Sequence, residues 1–320
     1  MKKVVLSVIA ALAVSAAAPA FAADLPVKAP AAAPAAAPSP WDIAFGAAGM
    51  TDYLFRGVTQ SNHKPSVAAY IEPRYNINPN LQLYVGLSGE SISFANRAAA
   101  EIDFYGGVRP TFGPLALDLG VWYYYYPGGT CYADGVLCPD VLANGNFIKK
   151  DLSFVEFYFK PTWNVNDSWA IGGNFFYSPS FLNSGAPGTY VSGTAKFTAP
   201  ANMAMGPFGW YVSGEFGRQF LGTTDSFYGL PGISPNGIKY ADYNTWNVGL
   251  GFTWKVFTLD LRYSDTNLSK ADCNAFTSDY TAKFSNSFSS INPTGVGSNW
   301  CGAAGIAKLS FDLTAVSNLK

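Results

Sequence analysis

The chain has 320 residues and a formal net charge of −1, with 13% charged and 16% aromatic residues. Soluble domains carry about 25% charged residues, so this chain has half the usual charge. This composition excludes extensive disorder, and the near-neutral charge argues against nucleic acid as a partner. A single His leaves little room for His-based catalysis or a multi-His metal site, so we expect no metal and no cofactor.

The first 22 residues have the pattern of a secretory signal peptide. A Lys-Lys pair precedes an apolar run, and an A-F-A sequence ending at Ala22 supplies the cleavage site. A transmembrane anchor is the weaker alternative, because the apolar run is too short. Residues 23–40 are rich in Ala and Pro, so we interpret them as a periplasmic spacer or a tail without function.

From residue 41 to residue 320, the recurring pattern is alternation of apolar and polar residues. Leu81, Leu83, Val85 and Leu87 fall on one face, for example, with polar residues on the other. Such alternation is typical of β-strands, and no apolar run is long enough for a transmembrane helix. The sequence predicts about twelve strands, within the ranges 41–56, 65–77, 80–93, 99–112, 114–127, 149–164, 168–180, 188–202, 207–220, 240–255, 257–266 and 306–316.

The predicted connections alternate in length along the chain. Tight turns are expected at Asn78-Pro79, Gly113, Asn166-Asp167, the Met203 to Gly206 stretch and Val256. Long loops are expected near 57–64, 128–148, 181–187, 221–239 and 267–305, with a short exception near 94–98. Short turns at one end and long loops at the other are typical of outer-membrane barrels.

We therefore predict an all-β protein, a transmembrane antiparallel up-and-down barrel in the bacterial outer membrane. An even number of strands places both termini on the periplasmic side. The alternative fold is a secreted soluble β-protein.

Aromatic residues provide an independent indication of a membrane barrel. Trp residues beside the tight turns share the parity of the apolar face: Trp163, Trp169, Trp210 and Trp254. Tyr residues near the long loops share it too: Tyr123, Tyr125, Tyr177 and Tyr263. Amphipathic rings at both interfaces are a property of membrane barrels, and a soluble sandwich has no reason to sort them in this way.

The opposite face of the predicted strands carries the charge. By parity the lumen is lined by Glu72, Arg74, Glu90, Glu101, Asp103, Arg109, Asp118, Glu156, Lys160, Lys196, Glu215, Asp260, Arg262, Lys308 and Asp312, and also by Lys255. Their signs nearly balance, which predicts no strong ion selectivity by count, although their axial positions could create local rings. Two possibilities stay open: an open polar pore, or a narrow barrel filled by ion pairs across strands.

The four cysteines permit three pairings. We expect the local bonds Cys131–Cys138 and Cys273–Cys301, because each closes one loop and the periplasm is oxidising. A metal site is the weaker alternative, since the sequence has no C-x-x-C motif.

Three segments resemble motifs of the TorF-type putative porins, a proteobacterial outer-membrane family. Asp52–Gln60 (DYLFRGVTQ) is similar to its D-Y-x-F-R-G-x-S-Q element, apart from Thr59 in place of Ser. Glu101–Gly107 (EIDFYGG) looks like its E-x-D-x-Y-G-G strand, and Trp122–Gly128 (WYYYYPG) looks like its aromatic strand end. The resemblance implies a small porin-like barrel without assigned substrate or catalytic residues, and the Cys-bearing loops depart from it.

Arg56, within the first of these motifs, follows the end of the first predicted strand. We expect it to anchor to lipid phosphate groups or to reach inward to Asp52 or Glu72. Gly57 allows the turn.

Three functions compete. The first is a passive channel for small hydrophilic solutes, with outer-membrane lipid and the barrel assembly machinery as further partners. The second is a barrel-embedded enzyme, which we do not expect. His63 sits in a predicted solvated loop, and the sequence has no G-x-S-x-G motif. Paired lumen acids such as Glu101 and Asp103 are more often ion-paired wall residues. The third is a non-conducting barrel whose disulfide-closed loops serve in binding or envelope structure, and those loops could equally fold inward.

Overall fold

The computed structural model describes residues 40–318, so the predicted signal peptide and most of the predicted spacer lie outside the described residues. The strands are β1 (Trp41–Met50), β2 (Leu54–Phe55), β3 (Val58–Thr59), β4 (Ser66–Asn78), β5 (Leu81–Glu90), β6 (Glu101–Phe112), β7 (Leu115–Tyr125), β8 (Phe154–Asn164), β9 (Trp169–Ser178), β10 (Gly188–Thr198), β11 (Gly209–Leu221), β12 (Tyr243–Trp254), β13 (Phe257–Thr266), β14 (Lys283–Phe284), β15 (Val296–Gly297) and β16 (Ala304–Thr314). The helices are α1 (Lys270–Thr277) and α2 (Ala315–Asn318), with 3₁₀ turns at Phe181–Asn183, Ala201–Met203 and Ser226–Tyr228.

Twelve of these strands form one closed antiparallel barrel, and β2–β3 and β14–β15 form two separate short hairpins. Barrel strands that follow one another along the chain pair with each other, and β1 pairs with β16 to close the sheet. The predicted all-β up-and-down barrel of about twelve strands is therefore confirmed. Closure leaves no unpaired sheet edge, which a strand in lipid cannot tolerate.

Two details of the predicted wall are wrong. The first barrel strand ends at Met50 instead of residue 56, because the chain leaves the wall there and turns into the barrel. Lys255, predicted to face the lumen, lies in the two-residue turn between β12 and β13, where it is exposed and has a φ of 54°. The alternation of inward and outward side chains holds only within a strand, so it does not predict which way a residue beyond the strand points.

The two ends of the barrel differ in their connections. One end, the turn end, has the connections 79–80, 113–114, 165–168, 199–208 and 255–256. The other, the loop end, has the connections 51–65, 91–100, 126–153, 179–187, 222–242 and 267–303. The described chain begins and ends at the turn end, where Trp41 pairs with Tyr75 and Thr314 with Ala44. That this end faces the periplasm stays a prediction.

The outer surface of the wall is an apolar belt between two aromatic girdles. Exposed side chains on the strands include Val67, Val85, Phe104, Phe157 and Phe216. Trp163, Trp169 and Trp254 are exposed near the turn end, and Tyr123, Tyr125, Tyr177 and Tyr263 near the loop end. An apolar band flanked by aromatic rings on a closed barrel is the surface that an outer-membrane protein presents to lipid. The protein is thus a bacterial outer-membrane barrel.

No helix within residues 40–318 has the length and apolarity needed to cross a bilayer.

Candidate functional site

The first loop folds into the barrel, and we call residues 51–65 the plug. Within it, β2 and β3 form a hairpin whose two turn residues, Arg56 and Gly57, have φ values of 50° and 77°. Two positive φ values are characteristic of the type I′ turn that joins tightly paired strands. A Cβ on Gly57 would overlap the Thr266 methyl group and lie 2.7 Å from Thr245 Oγ1, so the turn packs directly against the wall.

The turn places Arg56 inside the barrel, among side chains of the opposite wall. Its guanidinium donates to both Glu156 carboxylate oxygens at 2.9 and 2.7 Å and to Gln219 Oε1 at 3.0 Å. The side chains of Arg56 and Glu156 are only 6% and 1% exposed. The guanidinium carbon also lies 4.8 Å from the Phe176 ring centroid and 4.6 Å from that of Tyr190.

Arg56 does reach inward, as one of the two expectations had it, but its partner is different. It contacts neither lipid nor Asp52 or Glu72, because the type I′ turn points it across the lumen. A bidentate, charge-assisted pair of this kind is strong and directional, so it holds the plug in one position.

A second polar contact fixes the base of the plug. The Asp52 carboxylate accepts from Thr59 Oγ1 at 2.5 Å and Ser61 Oγ at 2.9 Å, and it lies 2.7 Å from His63 Nδ1. His63 Nε2 lies 3.0 Å from the main-chain oxygen of Asn299, in the loop before β16. Acceptors on both ring nitrogens favour the imidazolium form, since both nitrogens then donate.

His63 is therefore a loop residue that is partly exposed to solvent, as expected, but both of its ring nitrogens also have hydrogen-bond partners. The hydrogen bond to Asp52 raises its pKa, against an opposing effect of partial burial. Ser61 Oγ lies within hydrogen-bond distance of Asp52 Oδ1 and of the main-chain oxygen of Lys64, and neither ring nitrogen of His63 is bonded to a hydroxyl. This is not the geometry of an activated serine nucleophile.

The remaining loops cover the plug with an apolar and aromatic layer. Phe154 stacks on Tyr124 with ring centroids 4.4 Å apart, and Phe181 lies 4.9 Å from Phe154. Members of this buried layer come from several loops: Phe94, Leu142, Ile148, Phe181, Tyr228, Tyr240, Leu268 and Trp300. A cavity of about 50 Å³ remains among these side chains, enough for a few water molecules only. Together with the plug, this buried layer fills much of the loop end of the barrel.

Two disulfides lie in this loop layer. They join Cys131 to Cys138 and Cys273 to Cys301, so each bond closes a single loop. Cys273 lies on α1 and is fully buried, and the bond ties that helix to the segment that enters β16.

The turn-end half of the lumen contains ion pairs both within one wall strand and between neighbouring wall strands. Glu72 Oε1 accepts from Arg74 Nε at 2.5 Å and from Arg109 Nη1 at 2.8 Å. Asp118 Oδ2 lies 3.3 Å from both Arg109 Nε and Lys160 Nζ. The side chains of Arg109 and Lys160 are 16% and 21% exposed, so water reaches this end of the lumen.

A second group of charges lies on the opposite side of the wall. Arg262 Nη2 lies 3.0 Å from Asp260 Oδ2 and donates to Ser213 Oγ at 2.8 Å. Tyr211 donates to Asp260, and the Lys196 ammonium lies 4.1 Å from the Tyr211 ring centroid. In both groups, the acidic and basic residues belong to wall strands, and the alternation along those strands predicts that these residues face the lumen.

The other predicted lumen residues take different partners. Lys308 lies opposite Asp260 in the strand register, and Asp312 accepts from Tyr70 at 2.9 Å. Glu215 accepts from Tyr190 at 3.0 Å and from Asn174 at 3.1 Å.

Glu90, Glu101 and Asp103 lie together at the loop end, and within residues 40–318 none of them forms an ion pair. The Glu101–Asp103 pair thus differs from the ion-paired wall acids that we expected. The sequence also did not predict Gln219 as a partner of Arg56 or the contact of Tyr53, in the plug, with Glu101.

Inward glycines make room for side chains and do not widen the lumen. A Cβ on Gly86 would overlap the Tyr105 ring, and one on Gly251 would overlap the Tyr211 ring. Tyr105 in turn stacks on Trp122 with centroids 4.2 Å apart. The middle of the lumen is therefore narrowed by aromatic rings on this side.

Comparison with known proteins finds a bacterial family model that matches part of this chain, but it assigns no activity. Residues 34–137 match the model of a family described as a bacterial protein of unknown function (Gcw_chp), and the three quoted motifs lie within that range. No curated protein sequence matches the chain.

Solved barrels of similar shape are distant in sequence. They include the COG4313 outer membrane channel from Pseudomonas putida F1, with 10% identity over 87% of this chain and 97% of that one (TM-score 0.44). The NanC porin has 8% identity over 85% of this chain and 100% of that one (TM-score 0.41). The KdgM porin has 8% identity over 84% and 98% (TM-score 0.39). The assignment of a closed barrel rests on the strand pairing of this chain.

Proposed function

We propose that this porin-like barrel is a channel for passive diffusion of small hydrophilic solutes, and that the plug closes it in the conformation described above. The observation that carries the proposal is the contrast within the lumen. Its turn-end half is polar and reached by water, whereas a single inserted segment and the loops above it fill much of the other half. The resemblance to TorF-type putative porins supports the same function.

The lumen charges suggest the kind of solute. Because Glu72, Asp118 and Asp260 are each paired with basic groups of the wall, the turn-end lumen offers hydrogen bonds without a large field of one sign. Small, uncharged or zwitterionic solutes fit such a lining better than ions of high charge. We also propose that these wall residues set the selectivity, and insertion by the barrel assembly machinery stays a prediction.

A non-conducting barrel is the second candidate function. The specific observation in its favour is the buried layer of loop side chains, with two disulfides and a cavity of about 50 Å³. If this layer does not open, the loops act only as a rigid surface for binding or envelope structure.

Planar-bilayer recording separates the two candidates. The mature protein should show rare, small current steps, and Arg56→Ala should increase the open probability, because it removes the bidentate contact that holds the plug. Arg218→Ala is the matched control, since Arg218 is 44% exposed on the outer face and does not touch the plug. Absence of current from the mature protein and from Arg56→Ala, with both showing the heat-modifiable gel mobility of a folded barrel, overturns the channel.

A further inference from the structure

Three carboxylates of the wall meet at the loop end, and none of them has a basic partner within residues 40–318. One oxygen atom from each of Glu90, Glu101 and Asp103 lies within 4.8 Å of the others. The three residues are 4%, 2% and 3% exposed, so little solvent reaches them. We propose that they form a binding site for a divalent cation, with Ca²⁺ as the ion of best fit.

The strand register explains why these acids come together. Glu90 is directly opposite Glu101 in the β5–β6 ladder, and Asp103 follows on the same face opposite Ser88. Like charges directly opposite each other destabilise a strand pair, and burial increases the cost because it removes water. The arrangement needs a compensating positive charge or shared protons.

The hydrogen bonding of the cluster supplies a second observation. Glu90 Oε2 and Asp103 Oδ1 are buried and have no hydrogen-bond partner among the described residues. Elsewhere in this lumen, the equally buried Glu72 receives two arginines. Buried carboxylate oxygens are normally satisfied, so two orphaned oxygens aimed into one cluster indicate a ligand that accepts electron pairs.

The donor set defines the class of ligand. Carboxylate oxygens alone suit hard cations, and soft transition metals prefer nitrogen or sulfur. Mg²⁺ usually keeps several waters, for which a site this buried offers little access, whereas Ca²⁺ accepts irregular oxygen shells. Ca²⁺ is therefore favoured over Mg²⁺.

Neighbouring groups hold one ligand in place and connect the site to the plug. Tyr53, in the plug, donates to Glu101 Oε1 at 2.6 Å, and Tyr126 donates to Glu101 Oε2 at 2.9 Å. Ser88 donates to Asp103 Oδ2 at 3.1 Å. A bound cation would stabilise Glu101 in this orientation and, through Tyr53, the inserted position of the plug. The site itself does not depend on whether the barrel conducts.

The test uses the mature protein refolded in detergent without lipopolysaccharide, so that lipid phosphates do not bind the probe ion. CaCl₂ added to EDTA-treated protein should raise its melting temperature, and TbCl₃ should give luminescence sensitised by the nearby tyrosines. Both effects should be lost in Glu90→Gln/Asp103→Asn. The matched control is Glu215→Gln, a buried lumen carboxylate bonded to Tyr190 and Asn174, which should retain both effects.

The cation site is overturned if the unmutated protein shows neither effect, or if the double variant retains them. A melting temperature that is insensitive to CaCl₂ but is raised by the double substitution would assign the cluster to shared protons instead. If the double variant does not fold, Glu90→Gln alone provides the same comparison, and the titration of the unmutated protein decides by itself whether the ion binds.

Discussion

The two halves of the lumen are built from the same wall strands but satisfy their buried carboxylates in different ways. At the turn end, Glu72 and Asp118 each contact two basic groups of the wall. At the loop end, Glu156 depends on Arg56, which reaches it from a loop, and Glu101 on tyrosine hydroxyls. The turn-end acids thus have two basic neighbours each, whereas at the loop end Glu156 has one cation, Arg56, and Glu101 has hydroxyl partners only.

The largest expected effect is at the loop end. Arg56→Ala leaves the Glu156 carboxylate buried without a cation, and breaking such a pair costs about 3–5 kcal/mol. Guanidinium chloride unfolding in detergent, followed by tryptophan fluorescence, should show this loss. Arg56→Met/Glu156→Leu should recover much of it, since it removes both charges. A loss no greater than that of Arg218→Ala would show that the Arg56 contact is not the main support of the plug.

A somewhat smaller effect is expected from the turn of the plug. Gly57→Ala forces a side chain into the left-handed region, which costs about 1–3 kcal/mol, and its methyl group would overlap Thr266. We expect greater protease cleavage within residues 51–65 and a lower melting temperature. Gly49→Ala is the control, because no atom lies within 4 Å of a Cβ placed there. Equal behaviour of the two variants would mean that the hairpin is not packed against the wall.

Redundancy at the turn end predicts a still smaller effect. Arg109→Ala leaves Glu72 with Arg74 and Asp118 with Lys160, so we expect a loss of about 1–2 kcal/mol in the same unfolding assay. A loss as large as that of Arg56→Ala would remove the distinction between the two halves. If the protein conducts in planar bilayers, the current of each step should also be larger for Arg109→Ala, because the substitution removes a bulky side chain from the lumen.

The smallest expected effect is a dependence of the plug on pH. The folded-state pKa of His63 is raised, so its contribution is fully present below the ordinary histidine pKa of about 6.5 and is lost as pH rises through the folded value. The contribution is modest because the side chain is 39% exposed. The stability difference between the unmutated protein and His63→Gln should be larger at about pH 5.5 than at about pH 8.5. A difference that does not change, or that grows with pH, would contradict the bonded imidazolium.

Much of the wall was predictable from local pattern. Alternation along Leu81–Leu87 identifies a strand because neighbouring side chains on a strand point to opposite faces, whatever lies elsewhere in the chain. The same pattern gave a wrong prediction for residues 51–56, which continue the alternation, and for Lys255. Residues 51–56 lie beyond the end of β1 at Met50, and Lys255, with a φ of 54°, lies in the turn between β12 and β13. An R-G pair between apolar residues is compatible with a type I′ turn, but a loop beyond the membrane has the same composition.

The partners of the plug were beyond any local pattern. Arg56 contacts Glu156 and Gln219, which are 100 and 163 residues further along the chain. Similarly, Glu101 and Asp103 share a face in any strand, but the absence of a basic partner in the described structure follows from which strands and loops surround them.

The sequence by itself determined the barrel, its apolar belt, its two aromatic girdles and the inward face of its charges, because each depends on residues one or two positions apart. Only the tertiary structure showed that the first loop enters the barrel and contacts the opposite wall. That depends on barrel closure bringing the first loop beside β8 and β11, where a buried arginine finds its carboxylate.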